Sequence, residues 1–94
     1  MTGALTPSDR PFLPRGVRLH HDRVRDLPVL LGPETALMLD PVGHAVLAEL
    51  DGARDIAAIS AALAERYAAP VEVIEADVIE FLGNMAAQRL VEVA

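Results

Sequence analysis

The chain is expected to fold as a small α+β, winged helix-turn-helix-like domain: a three-stranded antiparallel sheet followed by three helices. Three observations predict it. Short apolar runs fill the first forty residues and are broken by Gly, Pro and Asp, as strands are. Asp40 and Asp55 each stand just ahead of an apolar pattern at helical spacing. Two helices joined by a tight turn after a first helix then give the helix-turn-helix order.

Met1 to Pro14 contains Gly3, Pro7, Ser8, Pro11 and Pro14, which predicts a flexible arm over 1–14 and a folded domain over 15–94. Val17 to His21 (VRLHH) alternates roughly apolar and polar, the pattern of a half-buried strand. Asp22 to Leu27 is polar and turns. Val29 to Leu31 is a second short strand, and Gly32-Pro33-Glu34 reverses the chain, since Gly relaxes φ and Pro fixes it near -65°. Thr35 to Leu39 (TALML) is the third strand, with Thr35, Leu37 and Leu39 on one face and Ala36 and Met38 on the other. Both faces are apolar and both call for cover.

Asp40-Pro41 is a helix start, an Asp cap followed by Pro at the first position, where no N–H is missed. This helix runs to about Leu50 and stops at Asp51-Gly52. Asp55 caps a second helix, Ile56 to Tyr67, with the stripe Ile56, Ile59, Leu63 and Tyr67. The third begins near Pro70 and runs to about Gln88 with the stripe Ile74, Val78, Phe81 and Met85. Leu90 to Val93 is a final short strand.

A chain of 94 residues is one domain with a modest core, and 52% hydrophobic content is more than a disordered chain carries. There is no cysteine, hence neither disulfide nor thiolate metal site. No apolar run approaches the length of a membrane span, and the N-terminus lacks the apolar region of a signal peptide; a cytoplasmic protein without membrane contact is the expectation. Charge is uneven. Residues 1–25 carry five arginines against two acids, +3, and residues 26–94 carry three arginines against twelve acids, -9, which together make the net -6. An acidic surface repels phosphate backbones and attracts basic partners.

No catalytic constellation is expected. Ser8 lies in the arm and Ser60 inside a helix among alanines, neither with a histidine placed as its base. Ser60 in Ala-Ile-Ser-Ala-Ala also lacks the helix-start setting of a phosphopantetheine-bearing carrier serine. Glu72, Glu75 and Glu80 read as a solvated face. His20 and His21 point to opposite faces of a strand, and His44 stands alone on the first helix, so no metal is expected. DNA binding, the activity that the helix order suggests, is opposed by Glu72, Glu75, Asp77 and Glu80 on the third helix.

The remaining feature is the ribbon Pro28 to Pro41. Its last strand has no fourth partner, and an open edge accepts an extended peptide through backbone hydrogen bonds. On that reading a proline at Leu37 would remove one donor from the edge.

Several stretches carry a resemblance: Pro14-Arg15-Gly16-Val17-Arg18-Leu19, Val29-Leu30-Leu31-Gly32-Pro33-Glu34, Leu39-Asp40, Leu50-Asp51-Gly52, and Asp77-Val78-x-x-Phe81-Leu82. In this order and spacing the chain, from about Arg10 to Val93, resembles the PqqD family. Arg89-Leu90 stands where that family often has Gly-Leu. The resemblance implies a peptide chaperone of pyrroloquinoline quinone biosynthesis, similar to the recognition elements of ribosomal-peptide modification. It would bind the precursor peptide PqqA and present it to the radical-SAM enzyme PqqE, with no cofactor of its own. The peptide would lie along Thr35, Ala36, Leu37, Met38 and Leu39, with Ile74, Asp77, Val78, Phe81 and Leu82 as the helix wall. Two other readings of the fold are a winged-helix DNA-binding regulator and a self-association module that dimerises by exchanging ribbons at Asp40-Pro41.

Overall fold

The computed structural model describes residues 5–94. Its elements are β1 (Pro11–Phe12), β2 (Arg18–Asp22), β3 (Leu27–Leu31), β4 (Ala36–Met38), α1 (Pro41–Ala48), α2 (Ile56–Tyr67), α3 (Val71–Ala87) and β5 (Glu92–Val93). The predicted class holds: a three-stranded antiparallel sheet, β2-β3-β4, precedes three helices. A second, two-stranded sheet pairs β1 with β5.

Register explains the sheet's two faces. Leu19 of β2, Leu30 of β3 and Leu37 of β4 form one cross-strand row. All three belong to the core or pack against it, so this face meets the helices. The neighbouring row, His20, Val29 and Met38, faces away. Pro28 lies in the central strand, a place that proline normally avoids. It is tolerated because its missing N–H points where β4 has already ended; the surviving contact is the Leu39 N–H donating to the Pro28 carbonyl at 2.9 Å.

Both aspartate caps form as the sequence predicts. The Gly43 N–H donates to Asp40 Oδ1 (2.6 Å) and the Ala58 N–H to Asp55 Oδ1 (2.8 Å). The α2 stripe is buried at Ile56, Ile59 and Leu63, and it ends at an exposed Tyr67. Helix α2 closes on Ala68, whose φ of 51° is left-handed, a conformation that a Cβ disfavours. The α1–α2 corner is tied by charge. Arg54 reaches Glu49 Oε1 (3.1 Å), the Glu49 carbonyl (2.6 Å) and Asp51 Oδ2 (3.2 Å), and Arg66 of α2 reaches Glu49 Oε2 (3.2 Å). Hydrogen bonds to Glu49 and then Asp51 raise the Arg54 pKa. The Arg54 and Ala53 N–H groups hold the Asp51 carboxyl below its ordinary range.

The termini behave differently from a free arm beginning at Met1. Met1 to Ala4 lie outside the described residues, but Pro11 and Phe12 pair with Val93 and Glu92. The Ala94 N–H donates to the Arg10 carbonyl at 2.8 Å, and the Ile56 and Ala57 N–H groups donate to the carbonyls of Asp9 and Pro7, both at 2.9 Å. Residues 7–12 therefore cap the first turn of α2 as well as clasping the C-terminus. Leu90 and Val91 are buried, and a Cβ on Gly32 would meet Leu90 Cδ2 at 2.8 Å, so a side chain there would force the Leu90 tip to shift.

Candidate functional site

Backbone bookkeeping on β4 identifies what its edge offers. Antiparallel partners alternate between hydrogen-bonded and non-bonded pairs. Gly32 donates to Thr35 and Leu39 donates to Pro28, which makes Leu30–Leu37 the bonded pair between them. Leu37 therefore turns its N–H and C=O inward to β3. Ala36 and Met38 turn theirs outward, and among the described residues no strand pairs with that side. The open edge presents two donors and two acceptors. Among the described residues neither terminal strand pairs with it, because β1 and β5 pair with each other. The sheet's other edge, β2, is open by the same alternation at Leu19 and His21. There His21 Nε2 lies 2.9 Å from Asp26 Oδ1 of the following turn.

A groove of about 170 Å³ lies between the three helices. Its floor is Val46 of α1, Leu63 of α2 and Val78 of α3, all buried. Its rim includes Val42, 58% exposed, and Tyr67, 44% exposed. Phe81 packs its ring edge over Gly43: a Cβ on that glycine would meet Phe81 Cζ at 3.3 Å and Asp40 Oδ1 at 3.1 Å. Asp40 and Asp77 supply the carboxylates at the lining. The β4 strand lines none of it; Asp40, two residues beyond Met38, is the link between edge and groove.

The sequence-predicted residues divide accordingly. Ile74, Asp77, Val78 and Phe81 come together in the groove. Leu82 does not line it; it is fully buried in the core. On the strand, Thr35, Ala36 and Met38 are exposed, Leu37 is half-buried and Leu39 is buried. Sequence reasoning missed Val42, Gly43 and Val46, although the Asp40-Pro41 cap places them on the first turns of α1. It also missed that α1 brings His44 into one shallow concavity with His20 and His21. Among the described residues no group of His, Cys, Asp or Glu is arranged to hold a metal. Ser60 is buried, and its Oγ has no hydrogen-bond partner among them. On α3, Glu72, Asp77 and Glu80 face solvent. No described helix is long and apolar enough to cross a membrane.

The sheet-then-helices arrangement with an open strand edge places the chain among the recognition-element folds of ribosomal-peptide modification. It matches the solution structure of the PqqD truncation of Methylobacterium extorquens PqqCD, described as a stand-alone recognition element of that kind. The TM-score is 0.83 and the identity 43%, over 95% of each chain. It also matches TbiB1 in complex with the TbiA(beta) leader peptide, with a TM-score of 0.73 and 26% identity over 86% of this chain and 94% of that one. The family model for coenzyme PQQ synthesis protein D (PqqD) matches residues 29–91. A PqqA binding protein of Rhizobium meliloti is 44% identical over 86% of this chain and 83% of its own length. The chain belongs to the PqqD family.

Proposed function

We propose that the chain binds the precursor peptide PqqA by adding it as a fourth strand along β4, and presents it to the radical-SAM enzyme PqqE. The observation that carries this reading is the unpaired outer edge of Ala36 and Met38 running, through Asp40, into an apolar groove. Support comes from relatives named for PqqA binding and from a similar fold bound to a leader peptide.

Each half of the site contributes a different quality. Four edge hydrogen bonds, at about 1 kcal/mol net each, give roughly 4 kcal/mol before the cost of ordering the peptide. They are blind to sequence, because every residue but proline offers the same backbone. The groove supplies choice, since burying one large apolar side chain there contributes about 1.5–3 kcal/mol. A site with so few contacts suits a complex that releases its cargo to a second protein.

The test is a titration of the ¹⁵N-labelled chain with PqqA, with and without PqqE. Amide signals of Ala36 and Met38 should shift together with those of Val42, Gly43 and Phe81. Shifts confined to Leu19 and His21 would assign the peptide to the β2 edge and reject the proposal.

A further inference from the structure

The sheet's outer face, turned away from the helices, carries a further concavity of about 490 Å³ that shares only Ala36 and Met38 with the peptide reading. Val29 forms its buried floor, with Leu31, Ala36 and Met38 around it. At its margin Val24 is 96% exposed. A lone exposed valine needs no explanation, but this one is held out by a built turn. Asp22 Oδ1 accepts from the Val24 N–H (2.9 Å) and the Arg25 N–H (3.2 Å), and Asp26 closes the turn with a φ of 53°.

The charge around this apolar floor is mostly of one sign. Arg23 and Arg25 flank Val24, and Arg18 projects from the same face by strand alternation. Among the described residues none of these three guanidiniums has a carboxylate within 4.0 Å; every ion pair found involves Arg54, Arg66 or His21. Arg25 Nη1 instead rests on Met38 Sδ at 3.6 Å, joining its cation to the apolar floor. Of the nearby acids, Asp22 has its Oδ1 committed to the turn and Asp26 faces His21. Three unpaired arginines are thus gathered on one face of a chain whose net charge is -6.

The geometry points to this face as a docking surface for an acidic protein partner that presents carboxylates around one apolar side chain. Charge complementarity selects the acid, and Val24, Val29 and Met38 select the apolar knob. A nucleic acid fits less well: no Phe, Tyr or Trp lines the concavity, whose one ring is the His20 imidazole, and the chain's net charge repels a polyanion at a distance. The inference does not depend on the peptide reading. The two are compatible, because alternation sends Leu37 toward the helices and Met38 outward, so a partner on the sheet leaves the backbone edge free.

The test uses the full ¹⁵N-labelled chain and two hexapeptides, EDLFDE and its uncharged counterpart QNLFNQ, at about 20 and about 300 mM NaCl. EDLFDE should shift the amides of Arg23, Val24, Arg25, Val29 and Met38 saturably. It should bind about tenfold more weakly in the double variant Arg23→Glu, Arg25→Glu and at the higher salt. Val24→Ser should lower affinity severalfold without moving the melting temperature, since that side chain is almost wholly in solvent. Equal affinity for the two peptides would overturn the proposal, as would shifts that map to the helical groove. So would tighter binding of an oligo-dT strand, or light scattering that finds a dimer broken by the arginine double variant, which would assign the face to nucleic acid or to a second copy.

Discussion

Replacing Met38 by proline removes one donor from the open edge and nothing from the internal ladder. Met38 turns its N–H outward, whereas Leu37 bonds Leu30. Proline is tolerated on an edge when its missing N–H faces solvent, and Leu37 already holds the extended conformation required of a residue before proline. The chain should therefore fold with little change in melting temperature. One net hydrogen bond of about 1 kcal/mol corresponds to about fivefold weaker binding of PqqA, and the ring's bulk against an incoming strand adds to this. Met38→Ala separates the effect of the lost side chain from that of the lost donor. The contrast is Leu37→Pro, the substitution that the sequence alone nominates. It orphans the Leu30 carbonyl and removes a half-buried leucine, a loss of about 3 kcal/mol or more in stability. Calorimetric titration with PqqA and thermal melts of the three variants make the measurement. Met38→Pro binding as tightly as Met38→Ala would refute strand addition at this edge, whatever happens at Leu37.

Three further outcomes follow from the geometry. Gly43→Ala gains up to about 1 kcal/mol of helix propensity but forces Phe81 and the Asp40 carboxyl apart, so stability should change little while PqqA affinity falls. Ala68→Gly should raise stability by about 1 kcal/mol in chemical denaturation, because it relieves a left-handed Cβ at the end of α2. Arg54→Ala should cost about 1–2 kcal/mol, discounted for its partial exposure, through loss of its hydrogen bonds to the Glu49 carbonyl and the two carboxylates. Only the share carried by the Glu49 carboxylate should disappear in a Glu49→Ala background, because the Glu49 carbonyl and the Asp51 carboxylate remain as acceptors.

Local chemistry was readable from the sequence, and chain-wide chemistry was not. The bounds of α2 follow from Asp55 and the Ile56–Ile59–Leu63 stripe, and the start of α1 follows from Asp40-Pro41; each signal lies within one helical turn of what it specifies. The β2 and β3 strands and their turn are equally local. The β1–β5 pairing joins two-residue strands from opposite ends of the chain; Leu90 to Val93 reads as a strand, but no local signal names Pro11–Phe12 as its partner. The direction of Leu37's hydrogen bonds was also hidden, because it depends on register with β3, and a shift of one residue would exchange the roles of Leu37 and Met38. In the groove, Ile74, Val78 and Phe81 were visible as a stripe. Helical spacing could not distinguish Phe81, which borders the groove, from Leu82, which is sealed in the core. Gly43 became legible only once Phe81 was seen lying across it.

The clasp between β1 and β5 has a kinetic consequence. Closing a loop of some eighty residues from the unfolded chain costs about 4 kcal/mol of entropy, far more than two-residue strands return. Once the hairpins and the α2–α3 pair have set, only short tails remain to be brought together. The ends of the molecule should thus join last as it folds and part first as it breathes, exposing Pro11 and Val91 to water while the β4 edge and the helices keep their shape.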